Sequence, residues 1–110
     1  MDRKMDKSLS LIGLMRKANK ISVTGQKCRE DIRSGRSSLI LIASDCSDNA
    51  GNRIRSLAES HNIPYADAGY TKDELASAAG TGLCSVISIN DSGFAGAWLA
   101  IRNKAPEQQD

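Results

Sequence analysis

Apolar positions along the chain alternate between two rhythms, a helical spacing and short unbroken runs. Leu11, Leu14, Met15 and Ala18 fall at i, i+3, i+4 and i+7 over Ser8 to Lys17 and just beyond, which predicts a helix packed by one face with Ser8 as its cap. Lys20 to Val23 reads as a short strand that ends at Thr24-Gly25. The helix expected next, Gly25 to Ser34, offers only Cys28 and Ile32 as an apolar edge, and so thin a stripe belongs at a surface. Gly35 ends that helix, and Ser38 to Ala43 reads SLILIA, a run suited to the buried centre of a sheet.

Asp45, Ser47 and Asp48 offer caps for a helix in which Ala50, Ile54, Leu57, Ala58 and His61 share a face. Asn62-Ile63-Pro64 breaks it, and Pro64 to Ala68 forms a short strand with proline tolerable at its first position. Thr71 and Glu74 make a capping box for a small helix carrying Leu75, Ala78 and Ala79. After the Gly80-Thr81-Gly82 loop, Leu83 to Ile89 is apolar enough for a second inner strand, and Phe94, Trp98 and Ile101 share a face of a helix over Gly93 to Arg102. This order predicts an α/β fold, a three-layer α/β/α sandwich around a roughly four-stranded mixed sheet. It fits one domain over 8–103 with flexible segments at 1–7 and 104–110.

Charge is distributed unevenly along that order. Residues 1–36 hold ten Lys/Arg against four Asp/Glu, whereas residues 37–110 hold five against nine, so the net +2 of the chain is +6 in the first third and −4 in the rest. Such asymmetry points to a polyanion-binding face. Within that basic third, the strand-to-helix turn at Thr24-Gly25 would present unpaired N–H groups and the positive end of a helix dipole, an arrangement favourable to phosphate. The charged N-terminus, with no apolar signal region, and the lack of any membrane-length apolar window lead to an expected cytoplasmic location and no membrane partner.

Other chemistry finds little support. Cys28, Cys46 and Cys84 form an odd set without C-x-x-C spacing, and with the lone His61 they would have to be gathered from four separate elements to hold a metal. They read as small core residues, and His61 reads as a helix-end residue. Gly80-Thr81-Gly82 follows a helix rather than a strand and lacks the full G-x-G-x-x-G spacing of a dinucleotide site. No Cys/His or Ser/His/Asp set has a local context suited to catalysis, so no enzyme and no cofactor is expected.

Several segments, in order and at characteristic spacing, resemble one family. They are Ile12-Gly13-Leu14 with Arg16-Lys17-Ala18, Ile32-Arg33-Ser34-Gly35, Leu39 to Asp45, Asn62-Ile63-Pro64, Glu74-Leu75 with Ala79-Gly80, and Asp91-Ser92-Gly93-Phe94-Ala95. The chain is similar in these to the kink-turn RNA-binding ribosomal proteins of the L-seven-Ae/L-thirty-e superfamily, and within it to the small bacterial YlxQ-like branch. The resemblance implies an RNA-binding protein that grips a kinked internal loop with tandem sheared G·A pairs. It also implies that the start of the second helix enters the widened major groove through a motif like Gly-x-Asn-Glu-x-x-Lys, while a loop before the last inner strand covers extruded bases.

Counted back from Gly35, the motif falls on Thr24, Gly25, Gln26, Lys27, Cys28, Arg29 and Glu30, and the covering loop on Thr81, Gly82, Leu83 and Cys84. Gln26 stands where the family has Asn, Lys27 where Glu is common and Glu30 where it has Lys, while the glycine has moved from the Thr24 position to Gly25. A Lys27 to Glu30 surface pair is one expectation for these exchanged charges. Arg16, Lys17, Lys20, Arg29, Arg33 and Arg36 are candidate phosphate contacts that add affinity with little sequence choice. The resulting expectation is a non-enzymatic, ribosome-associated protein for structured RNA, monomeric when free, with RNA and ribosomal proteins as partners. The alternative is a protein-interaction module on the same fold that has lost kink-turn recognition.

Overall fold

A computed structural model describes residues 6–104. Of the flexible ends expected at 1–7 and 104–110, residues 1–5 and 105–110 lie outside the described residues, while Asp6 and Lys7 are part of the first helix and its cap. The elements run α1 (Lys7–Lys17), β1 (Ile21–Ser22), α2 (Gly25–Ser34), β2 (Leu39–Ile42), α3 (Asp48–Ser60), β3 (Tyr65–Asp67), α4 (Lys72–Ala79), β4 (Val86–Ile89) and α5 (Ser92–Lys104). The alternation of helix and strand expected from the apolar rhythm is therefore present throughout.

The strands form one mixed sheet in the order β1-β4-β2-β3. β4 is antiparallel to both β1 and β2, with Ile21 opposite Ile89 and Ile42 opposite Val86, and β2 is parallel to β3, with Ile40 opposite Tyr65. Because successive strand side chains point to opposite faces, the apolar runs of β2 and β4 feed two cores. Leu39, Leu41, Ile87 and Ile89 join Ile12 and Met15 of α1, Leu75 of α4 and Trp98 of α5. Ile40, Ile42 and Val86 join Cys28 and Ile32 of α2 and Ile54 and Ala58 of α3. This makes a three-layer sandwich with α2 and α3 on one face and α1, α4 and α5 on the other.

Two sequence expectations are corrected. The cap of α1 is Asp6, whose carboxylate accepts the Leu9 N–H at 3.0 Å, while Ser8 lies inside the helix, buried, with its hydroxyl 2.6 Å from that of Tyr70. The inward face of α1 is accordingly Ser8, Ile12 and Met15, and Leu14 is 55% exposed. Leucines at 9, 11 and 14 surround this helix with apolar side chains, so spacing alone is ambiguous and the contacts with α4 and α5 decide. Likewise β4 starts at Val86 rather than Leu83, leaving Leu83 in the preceding loop.

Turns fix the ends of these elements. The Thr71 and Glu74 capping box of α4 forms, with Thr71 N–H donating to Glu74 at 2.9 Å and Glu74 N–H to Thr71 at 3.2 Å. Gly69 has φ of 79°, and a Cβ there would sit 2.5 Å from the Arg102 guanidinium. Arg102 donates to the Ala68 carbonyl and stacks 5.4 Å from the Tyr70 ring centroid and 5.1 Å from that of Trp98, tying α5 to the β3–α4 turn.

Candidate nucleic-acid interface

The sheet register brings distant segments to one end of the molecule. β1 runs into α2 with only Val23 and Thr24 between them, and because β1 is antiparallel to β4, the start of β4 lies beside the start of α2. The loop 80–85 therefore flanks the first turn of α2. Ala43 N–H donates to the Ser85 carbonyl, Ser44 N–H to the Tyr70 carbonyl and Lys72 N–H to the Asp45 carboxylate, which brings the β2–α3 and β3–α4 turns to the same end.

The first turn of α2 is polar and open. Thr24 caps it, its hydroxyl accepting the Lys27 N–H at 3.2 Å, and the N–H groups of Gly25 and Gln26 have no partner among the described residues. Gln26, Lys27 and Glu30 are exposed, and Gln26 Nε2 donates to Glu30 at 3.3 Å. Arg29 folds back over this turn, its guanidinium 3.2 Å from where a Cβ on Gly25 would lie. Across from it, Thr81 and Gly82 lead to Leu83, a leucine 70% exposed at the tip of the flanking loop.

Three sequence assignments change here. Cys84, expected in the covering loop, is buried and donates its thiol to the Val86 carbonyl, so it belongs to the core rather than to a ligand surface. Burial pushes its thiol pKa up to about 11, with the charge of Arg16 opposing, which places Arg16 of α1 near the same loop. Lys27 does not pair with Glu30: its ammonium lies 3.1 Å from Asp31, one helical turn on. Lys20 and Arg36 sit at the far end of α2, where the Lys20 carbonyl accepts from Asn90 N–H and Arg36 Nε donates to Asp31 at 3.3 Å. That end is about 15 Å from Gly25, the length of a ten-residue helix. Lys17 is exposed in the last turn of α1, and Arg33 is exposed on α2.

Asp31 is a residue that sequence reasoning passed over. Its side chain is fully buried, yet it accepts from Ser22 Oγ at 2.5 Å, Asn90 Nδ2 at 2.9 Å, Lys27 Nζ at 3.1 Å and Arg36 Nε at 3.3 Å. Burial opposes its charge, but these donors outweigh it and hold the carboxyl below the usual value of 3.8. Ser88 of β4 extends the network, donating within reach of both Ser37 and Asn90. The network bolts α2 to β1 and β4 and so fixes the angle at which its first turn meets the flanking loop. The i, i+4 spacing of Lys27 and Asp31 was the available signal; Ser22 and Asn90 join only through the sheet.

The cysteines remain free, with Cys28 and Cys84 buried and Cys46 half-buried. Burial, with the neighbouring Cys84 and Asp31, pushes the Cys28 thiol up to about 12, which keeps it a neutral thiol with little nucleophilic thiolate. Among the described residues no cluster of three His, Cys, Asp or Glu is arranged to hold a metal. His61 is exposed at the end of α3, with Nδ1 3.2 Å from the Leu57 carbonyl.

Fold and site together define a small α/β/α sandwich with one polar end, formed by a helix N-terminus and an apolar-tipped loop. Solved structures share this fold. A protein of unknown function from Bacillus halodurans superposes with a TM-score of 0.81 at 25% identity, covering 86% of this chain and 95% of that one. A Giardia lamblia 15.5kD RNA binding protein gives a TM-score of 0.68 at 18% identity over 94% of this chain and 96% of that one. No curated protein matches significantly. Residues 6–97 match the Ribosomal protein L7Ae/L30e/S12e/Gadd45 family, and the chain belongs to that family.

Proposed function

We propose that this protein is a non-enzymatic, cytoplasmic RNA-binding protein that recognises a kink-turn and works within the ribosome or another ribonucleoprotein. The observation that carries the reading is the juxtaposition of the open first turn of α2 with the exposed Leu83 loop. The free N–H groups of Gly25 and Gln26 and the Arg29 guanidinium suit a phosphate or a guanine edge, while Gln26 offers an amide with both donor and acceptor. Leu83 is placed to cover an unstacked base by apolar contact. RNA read by shape in this way needs few exposed aromatic platforms, in keeping with a chain holding only Tyr65, Tyr70, Phe94 and Trp98.

The family relationship and the RNA-binding structural neighbour support this reading. A specific observation favours a second one, a protein-interaction module: Lys27 is committed to Asp31, and Glu30 stands exposed where the motif carries a cation. Binding to a kink-turn RNA, beside a control whose G·A pairs are disrupted, separates the two. The expected result is preference for the kinked RNA, with log affinity falling linearly against log salt. Equal binding to both RNAs would refute kink-turn recognition, and failure to bind either would favour the protein partner.

A further inference from the structure

A second basic surface lies beside the first turn of α2. A groove of about 500 Å³ runs between α2 and α3, lined by Arg29, Arg33, Arg53, Ser56, Leu57 and Ser60. Arg29 and Arg33 are four residues apart on α2, and like charges at that spacing repel and destabilise a helix. Arg53 adds a third positive charge from α3. None of the three is paired with a carboxylate among the described residues, in contrast to Lys27 and Arg36, which both engage Asp31. Arg55, two residues from Arg53, is turned away from the groove and donates to Asn52 at 3.0 Å.

Unneutralised guanidinium groups converging from two helices are suited to phosphate, which their planar forks can engage with two hydrogen bonds at once. The exposure of Arg33, Arg53, Ser56 and Ser60 makes the groove open along its length, suited to a chain passing through rather than to an enclosed small molecule. It is also continuous with the proposed docking edge, because Arg29 both lines the groove and lies over Gly25. We infer that the α2–α3 groove holds the sugar-phosphate backbone of an RNA arm leaving that edge. This inference rests on the RNA-binding reading above and extends its footprint to α3, which that reading does not use.

The test compares two charge-matched substitutions on one helix, Arg53→Gln in the groove and Arg55→Gln outside it. Full-length proteins would be titrated with a kink-turn RNA carrying either trimmed or extended arms, and with a plain RNA duplex. On the extended RNA, Arg53→Gln is expected to weaken binding several-fold at low salt and to reduce the log–log salt slope by about one, while Arg55→Gln changes neither. On the trimmed RNA both variants should match the parent. Adding Arg33→Gln to Arg53→Gln should deepen the loss without lowering the melting temperature, since like charges are being removed. Equal effects of Arg53→Gln and Arg55→Gln would overturn the inference. If the parent protein binds kinked RNA and duplex alike, kink-turn recognition fails by itself; the groove then stands if Arg53→Gln alone lowers the duplex slope, and falls if it does not. Displacement of bound RNA from the parent but not from Arg53→Gln by inorganic phosphate at low millimolar concentration would mark a small-anion site and overturn the backbone assignment.

Discussion

Asp31 illustrates how one side chain can govern a surface it does not reach. Its donors come from β1, α2, the α2–β2 turn and the end of β4. An asparagine keeps only one acceptor oxygen, so its NH2 must face either Ser22 and Asn90, which share one carboxylate oxygen, or Lys27 and Arg36, which share the other; we expect Asp31→Asn to cost about 2 kcal/mol at neutral pH. The folded-state pKa of Asp31 lies below its usual 3.8, so the carboxylate contributes stability above that usual value and loses it as pH falls through the lower folded one. Denaturant melts of parent and variant should therefore differ by a constant amount from pH 5 to 7 and converge below about pH 4. A gap that stays constant through pH 3 would mean that Asp31 acts by shape rather than by charge. Glu30 makes the opposite case, an exposed carboxylate whose partner is the Gln26 amide. Glu30→Lys is expected to tighten RNA binding several-fold at low salt, with the gain shrinking as salt screens it, and unchanged affinity would argue that α2 is not the docking edge.

At the scale of elements, the features legible in the sequence were those set by near neighbours. The limits of α2 follow from Thr24 before it and Gly35 after it, where the chain turns through φ of 81°, and the α4 capping box is written within four residues. What escaped were features decided across the fold. The face of α1 depends on α4 and α5, the beginning of β4 depends on where β1 and β2 offer partners, and Arg53 meets the α2 arginines only because α3 packs beside α2. In the loop before β4, Leu83 is exposed while adjacent Cys84 turns into the core, a burial that spacing alone does not disclose. Because Leu83 has little packing to lose, Leu83→Asp should weaken binding to the kinked RNA while shifting the melting temperature by no more than a degree or two, on the order expected of a surface change. A large loss of melting temperature would assign it to the core.

For the molecule as a whole, the strand order β1-β4-β2-β3 has a consequence for how the protein comes into being. The two-residue β1 pairs with β4 alone, across 66 to 68 positions of sequence, and β4 is the last strand. Until Val86 to Ile89 is in place, β1 has no ladder to join, Asp31 lacks Asn90, and the end of the sheet where α2 meets the Leu83 loop does not exist. Long-range pairing of this kind must overcome the entropy of closing a large loop before it is rewarded. During synthesis, the basic first third of the chain therefore emerges long before the strand that shapes it. On the RNA-binding reading proposed above, a segment of net charge +6 precedes the edge that would make it selective, and that edge is complete only when the final strand inserts between its two neighbours.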